Sequence, residues 1–190
     1  PNVIVLDQME DPEILARAMT AAETGHLVIG TMNTSAAART VDRLIELYPE
    51  SRHEIVRNQL ASCLQGVVAQ VLLRRADGQG RVAAHEILTG TPAIRNLIRE
   101  NQLNQIYSMM QMGSRFGMQT MAGSVETLVK RGMVTETEGW RGLLATSGEE
   151  DAEAGASGGS SGEGGTSSPV QVSMPGRSHD IGAGGDGQTA

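Results

Sequence analysis

The first candidate for chemistry is a polar pair at the end of an apolar run. Val3–Leu6 is followed directly by a carboxylate and an amide, Asp7 and Gln8. A short continuous apolar run is typical of a strand buried on both faces of a parallel sheet. Ligand crevices in such sheets open at the carboxyl ends of the strands, where a carboxylate can hold the Mg²⁺ of a nucleotide or polarise an attacking water. Spacing alone favours an ordinary strand and turn, so the pair needs support from its surroundings.

Histidine and cysteine give little support for another kind of site. Cys63 is the only cysteine, which excludes a disulfide framework and a cysteine-based metal site. The four histidines, His26, His53, His85 and His179, do not have the spacing of metal ligands. The sequence also shows no nucleophile paired with a base, which disfavours a metabolic α/β enzyme.

The elements around the polar pair alternate between strand and helix. A helix is predicted over about 11–25, with Pro12 suited to its first turn. A second apolar strand follows over 26–32, and Ser35 is predicted to cap a helix through residue 47. This order predicts an α/β sheet with right-handed crossovers.

The next segments predict a helix, a hairpin and then a helical region. Ser51 and Glu54 form a capping box for a helix through residue 65. Strands over 67–74 and 81–88 flank the turn Asp77-Gly78-Gln79-Gly80, which is the pattern of a β-hairpin. From Pro92 onward the pattern is helical and rich in methionine, with helices predicted over 92–100, 102–112, 122–132 and 135–145.

Composition divides the chain into three parts. Residues 1–91 form the α/β part, and residues 92–146 form a small all-α subdomain. Residues 147–190 hold 12 of the 24 glycines and no aromatic residue, so we expect a disordered Gly/Ser-rich acidic tail. The tail has seven acidic residues and one basic residue, so it carries most of the formal net charge of −7. The near-neutral remainder has no basic stripe, which argues against a nucleic-acid partner.

Longer motifs give the sequence a family resemblance. They are Thr20–Val28, Thr31–Ala37, Thr40–Arg43, Gly80–Ile87, Gly90–Glu100 and Gly117–Met121. Together they resemble the secretion ATPase superfamily, and within it the PilT-type ATPases of twitching motility and type IV pilus retraction. The similarity covers about residues 1–135.

The resemblance implies a fold, cofactors and partners. The α/β part would be the C-terminal part of a RecA-like P-loop ATPase sheet, followed by the small all-α subdomain. The chain would be a C-terminal fragment, with a PAS-like domain and the phosphate-binding loop upstream of Pro1. The family implies homo- or hetero-hexameric rings that bind ATP and Mg²⁺ between subunits and act with an inner-membrane pilus platform protein. It also implies a bacterial cytoplasmic location, peripheral to the inner membrane at the pilus base.

Three residues depart from the family pattern at positions of the implied site. The family usually has Gly-Glu-x-Arg-Asp where this chain has Asp7-Gln8-Met9-Glu10-Asp11, so Gln8 replaces the catalytic glutamate and Glu10 replaces an arginine. Asn33 replaces the histidine of the family's second box. Gln8 can hydrogen-bond a water but cannot act as a base.

These departures leave three hypotheses about hydrolysis. The first is an ATP-binding motor subunit with a degenerate hydrolysis site. The second is a divergent but active enzyme, in which Asp7 supplies the carboxylate and contacts the Mg²⁺ shell. The third is a non-catalytic paralog that scaffolds or regulates an active pilus ATPase.

The resemblance also points to three places outside the polar pair. His26 matches the family's first histidine box, with a structural histidine bonded to the backbone as the alternative. Arg43 could reach the nucleotide of a neighbouring subunit through its fixed, bidentate donors, or lie exposed on its helix. The segment Ala93-Ile94-Arg95-Asn96-Leu97 matches a motif tied to retraction, and a plain amphipathic helix is the alternative.

Overall fold

The structure is a computed structural model that describes residues 1–147. Its strands and helices are β1 (Val3–Leu6), α1 (Pro12–Glu23), β2 (Leu27–Gly30), α2 (Ala37–Glu46), α3 (His53–Cys63), β3 (Gly66–Arg74), β4 (Arg81–Thr89), α4 (Pro92–Arg99), α5 (Ile106–Met112), α6 (Met121–Lys130) and α7 (Glu136–Ser147). The mixed α/β class is confirmed. The tail predicted over 147–190 lies outside the described residues, except for Ser147 at the end of α7.

β1 and β2 pair in parallel, with Leu6 opposite Gly30, and α1 connects them. This confirms the predicted strand–helix–strand unit. The prediction that both faces of these strands are buried is wrong, because Val5 is 70% exposed and Leu27 is 52% exposed. Half-buried and exposed positions alternate along both strands, which is the pattern of a sheet covered on one face.

Neither of the two predicted side-chain caps is present, but the start of α1 has a cap that was not predicted. Asp11 caps α1, since its carboxylate accepts two N–H groups of the first turn at 2.7 and 3.3 Å. Ser35 does not cap α2, because its hydroxyl donates to the Ala145 carbonyl of α7 at 3.4 Å. Ser51 and Glu54 form no capping box, because a 3₁₀ turn occupies that place and α3 starts without a side-chain cap.

β3 and β4 form the predicted antiparallel hairpin, with Arg74 opposite Arg81 at its closed end. The turn contains Asp77, whose carboxylate accepts hydrogen bonds from the Arg75 guanidinium at 2.7 to 3.2 Å. α6 and α7 pack against this hairpin. A small apolar cluster forms between them from Leu73, Ala84, Met121, Val125, Leu128 and Val134.

The main core combines residues from both sides of residue 91. Helices α1, α2 and α3 contribute buried side chains together with α4 and α5. Leu88, Ile94 and Ile106 are fully buried at its centre, and each such burial stabilises the fold by about 1.5–3 kcal/mol. The division of the chain at residue 91 stays a prediction. None of the helices within residues 1–147 has both the length and the apolar character needed to cross a membrane.

Candidate functional site

The parallel pairing of β1 and β2 brings their carboxyl ends to one edge of the sheet. Because the strands pair in register, Asp7 and Thr31 follow them side by side. The Thr31 hydroxyl accepts the Gln8 N–H at 2.9 Å and donates to Asp7 Oδ1 at 3.1 Å. Thr31, directly after β2, therefore bonds both the Asp7 carboxylate and the backbone N–H of Gln8 at this edge.

Gln8 has an unusual backbone conformation at this edge. Its φ is 53°, in the left-handed region, which costs a residue with a side chain about 1–2 kcal/mol. Strained residues of this kind are concentrated at functional sites, where the surrounding structure holds them. The Gln8 side chain is exposed, so it can meet a ligand or a water at the strand end.

The carboxylates of this loop have different environments. Asp7 and Glu10 are exposed, and Asp7 receives one hydrogen bond, from Thr31. Asp11 caps α1 through its Oδ1. Mg²⁺ in nucleotide sites keeps several waters and needs only one or two protein carboxylates. Asp7 therefore fits a contact with the water shell of a nucleotide-bound Mg²⁺.

The structure places the two box residues at opposite ends of β2. Asn33 is exposed in the loop that follows the strand, two residues after Thr31. His26 precedes the strand and lies roughly 16 Å from Thr31 at about 3.3 Å per residue. Its Nδ1 lies 3.1 Å from the Ala21 carbonyl oxygen and 3.3 Å from the Thr24 hydroxyl. His26 does not join the Asp7–Gln8 turn, and its contacts are those of a structural histidine.

A small cavity of about 170 Å³ lies beneath β2 and is lined in part by His26 and Cys63. Burial raises the pKa of the Cys63 thiol, and the nearby Glu23 carboxylate raises this pKa further. The thiol is therefore protonated at neutral pH and is a poor nucleophile.

Glu86 on β4 is a buried carboxylate whose contacts sequence reasoning missed. Its side chain is buried, with 6% of the residue exposed. Oε1 accepts the Ala37 N–H at the start of α2 at 2.7 Å, and Oε2 accepts the Met121 N–H at the start of α6 at 3.3 Å. An anion is favoured at both helix N-termini. The available signal was an acidic residue at an inward position of a strand whose other inward residues include Ala84 and Leu88.

Glu86 connects the loop after β2 with the helical C-terminal region. The loop over 31–36 begins at Thr31, at the candidate site, and ends where α2 begins. The first N–H of α2 is then bound by the same carboxylate that caps α6. Movement of the loop that shifts α2 therefore has to involve the α6 terminus or break a buried hydrogen bond.

Arg43 lies on α2 at a second location. It is exposed and lines a groove of about 400 Å³ together with Asp42, Glu46 and Asn104. Basic and acidic side chains alternate along this groove, which the Asp7–Gln8 turn does not line. A contact between Arg43 and the nucleotide of a neighbouring subunit stays a prediction.

The segment Ala93-Ile94-Arg95-Asn96-Leu97 lies in α4. Ile94 and Leu97 are buried in the main core, whereas Ala93 and Asn96 are exposed. Asn96 Nδ2 donates to the Glu100 carboxylate at 2.9 Å. The segment therefore combines core residues with an exposed surface, as an amphipathic helix does.

Arg95 fastens the end of α3 to the loop before α4. Its Nε donates to the Gly90 carbonyl at 2.8 Å, and its Nη1 donates to the Ala61 and Ser62 carbonyls at 2.8 and 2.6 Å. The last carbonyls of a helix have no partner within the helix, so Arg95 acts as a cap for α3. The chain at residue 90 passes close to the end of α3. Glycine permits this approach, since a Cβ there would clash with the Leu64 carbonyl oxygen.

Arg95→Lys is expected to lower the free energy of unfolding by about 1–3 kcal/mol. A single ammonium group cannot reach the three carbonyls that the planar guanidinium binds together. Urea denaturation of the wild type and the variant measures the difference. Arg99→Lys is the matched control, because Arg99 is exposed on the same helix, and it is expected to change stability by less than about 0.5 kcal/mol. Equal losses in both variants would contradict the capping role.

The sequence is similar to a known protein family and to individual proteins of known role. The family described as Type II/IV secretion system protein matches residues 1–79. A twitching motility protein of Neisseria gonorrhoeae is 52% identical over 134 residues, which cover 70% of this chain and 36% of that protein. The type IV pilus retraction ATPase PilT of Pseudomonas aeruginosa is 47% identical over 135 residues, which cover 71% of this chain and 39% of that protein.

Two solved structures of ATPases are similar to this chain in fold. A crystal structure of the pilus retraction motor PilT with bound ADP matches with a TM-score of 0.68 at 44% identity, covering 75% of this chain and 39% of that chain. The ATPase DotB of Legionella pneumophila matches in fold with a TM-score of 0.65. The chain thus spans well under half the length of the relatives that it matches.

These similarities place the chain in a class, the secretion ATPases. Within that class, the chain belongs to the PilT-type family associated with twitching motility and type IV pilus retraction.

Proposed function

We propose that the chain is part of an ATP-binding motor subunit of a type IV pilus retraction machine and carries a degenerate hydrolysis site. Relatives named for twitching motility and pilus retraction support the proposed motor function. The ADP-bound PilT structure supports the proposal that the protein binds a nucleotide. The observation that carries the proposal is the Asp7–Gln8 turn, bound to Thr31 at the shared carboxyl edge of β1 and β2. In P-loop ATPases, side chains in this place orient the attacking water and hold the Mg²⁺ shell.

The residues of the turn divide the chemical roles between them. Gln8 holds the attacking water through its amide but takes no proton from it. Asp7, with its Oδ1 oriented by Thr31, would hold the Mg²⁺ of the nucleotide through the water shell of the metal. Bound Mg-ATP supplies the phosphoryl group, whose charge the metal neutralises. This arrangement permits binding and slows hydrolysis.

The proposal includes an architecture beyond the 190 residues. A RecA-like P-loop arrangement requires a phosphate-binding loop supplied by a longer protein. That protein forms homo- or hetero-hexamers in the cytoplasm, peripheral to the inner membrane, against a pilus platform protein. The residues 1–91 belong to the ATPase core and 92–146 to a helical subdomain that carries the retraction segment over 93–97.

A non-catalytic paralog is the second candidate function. The three departures Gln8, Glu10 and Asn33 favour it, because all of them fall at one implied site. Such a protein would join a ring and regulate an active partner without hydrolysing ATP. Single-turnover hydrolysis by the longer protein separates the two functions, since only the motor releases phosphate from its own bound ATP.

The 190-residue chain alone is expected not to bind Mg-ATP appreciably. It contains no Gly-x-x-x-x-Gly-Lys-Ser/Thr loop, and its only lysine, Lys130, follows Val129. Phosphate binding needs the backbone N–H groups and the lysine of that loop. Calorimetric titration is expected to show no binding at micromolar ATP, with a longer protein that carries the loop as the positive control. Micromolar affinity of the 190-residue chain would contradict a site that depends on the loop.

A further inference from the structure

We propose that Thr31 is a positioning residue, whose hydroxyl holds the Asp7–Gln8 turn in the conformation that directs both side chains towards the nucleotide. The inference rests on the proposed function for its catalytic consequence. Its geometric content is that the hydroxyl adds two side-chain hydrogen bonds that hold the Gln8 backbone and the Asp7 carboxylate, and it rests on the hydrogen bonds of the described residues.

The hydroxyl of Thr31 has a defined direction. The Gln8 N–H can only donate, so Thr31 Oγ1 accepts from it at 2.9 Å. The hydroxyl proton is then directed to Asp7 Oδ1 at 3.1 Å. The Thr31 side chain thus bonds two groups of the proposed site. One is the backbone of Gln8, the residue proposed to hold the attacking water, and the other is the carboxylate of Asp7, proposed to face the water shell of Mg²⁺.

The backbone of Thr31 is held independently of its side chain. Its N–H donates to the Leu6 carbonyl at 3.2 Å, and its carbonyl accepts the Met9 N–H at 2.8 Å. The Met9 side chain also packs over Gly30, where a Cβ would meet Met9 Sδ at 2.3 Å. A change of the Thr31 side chain therefore removes the two hydroxyl bonds and leaves these contacts in place.

The Thr31 hydroxyl matters because Gln8 has a left-handed backbone conformation that needs support from its surroundings. A residue at φ 53° relaxes to an ordinary conformation unless its surroundings hold it. Asp7, Gln8 and Thr31 are exposed, so water can replace the lost hydrogen bonds and the fold is expected to stay stable. The expected loss is one of orientation, because water does not fix the angle between the turn and β2.

Amide hydrogen exchange on the 190-residue chain tests the geometric content. Thr31→Val is expected to speed exchange of the Gln8 amide about tenfold, because its local hydrogen bond is lost. Thr31→Ser keeps the hydroxyl and is expected to stay within about twofold of the wild type. Thr127→Val is the matched control, because Thr127 is exposed and its hydroxyl donates to the Gly123 carbonyl in α6. Unchanged exchange of Gln8 in Thr31→Val would overturn the proposal.

Hydrolysis by the longer protein tests the catalytic consequence, in a Gln8→Glu background so that the rate can be measured. Thr31→Val is expected to lower kcat about tenfold with KM within about twofold, and Thr31→Ser to restore kcat. Faster Gln8 exchange combined with an unchanged kcat would overturn the positioning role. If the background itself does not hydrolyse ATP, the proposed function fails, and the exchange result alone decides whether Thr31 holds the turn.

Discussion

Glutamate in place of Gln8 is expected to raise ATP hydrolysis by the longer protein substantially, by up to about 10²–10⁴-fold. The amide of Gln8 can hold a water but supplies neither a negative charge nor a base, and a carboxylate at the same exposed position supplies both. ATP affinity is expected to change little, because binding depends mainly on the phosphate-binding loop and Mg²⁺. Steady-state phosphate release and nucleotide titration measure the two effects separately.

The matched control for this change is Gln79→Glu. Gln79 is an exposed glutamine in the hairpin turn, so the control adds the same charge away from the site. Its phosphate release is expected to equal that of the wild type. A similar rise in both variants would assign the effect to net charge and would contradict a catalytic role for the position of Gln8.

Replacing Glu86 by alanine is expected to lower the free energy of unfolding by about 3–5 kcal/mol. The change leaves the N–H groups of Ala37 and Met121 without their acceptor inside the protein, and each such loss costs about 1–3 kcal/mol. The favourable interaction of one anion with two helix N-termini disappears as well. Urea denaturation followed by circular dichroism measures the difference.

Two further variants test whether the loss of stability in Glu86→Ala comes from the two buried hydrogen bonds. Glu86→Gln keeps an acceptor for one of the two N–H groups and is expected to lose less stability than alanine. Glu126→Ala removes an exposed carboxylate on α6 that pairs with Lys130 at 2.6 Å, and it is expected to cost less than about 1 kcal/mol. If Glu86→Ala is as mild as Glu126→Ala, the double cap does not stabilise the fold.

Local patterns in the sequence predicted much of the architecture. The apolar runs gave β1 and β2, and Pro12 gave the start of α1, because these signals depend only on neighbouring residues. The turn around Asp77 gave the hairpin for the same reason. Parallel strand order then placed the Asp7–Gln8 turn beside the end of β2, so the location of the candidate site was also accessible from sequence.

Features that depend on residues distant in sequence were missed or wrong. Ser35 fitted the pattern of a cap, but its hydroxyl donates to a carbonyl 110 residues away. Glu86 and Arg95 form their bonds across elements, so local patterns do not identify their partners. His26 matched a family motif and lies before β2, a strand length away from the strand ends, so its part in the site stays a prediction. The exposed face of β1 and β2 was not predicted, because an apolar run gives no information on whether both faces are covered within the chain.

Single-turnover hydrolysis by the longer protein, with enzyme in excess over Mg-ATP, is the direct test of a degenerate hydrolysis site. We expect the wild type to bind ATP and to hydrolyse it slowly. The triple variant Gln8→Glu, Glu10→Arg and Asn33→His is expected to be faster than the single Gln8→Glu variant, since site residues act as a unit. A wild-type rate that the triple variant cannot improve would contradict the degenerate site, and Asp7 would become the first candidate for the missing carboxylate.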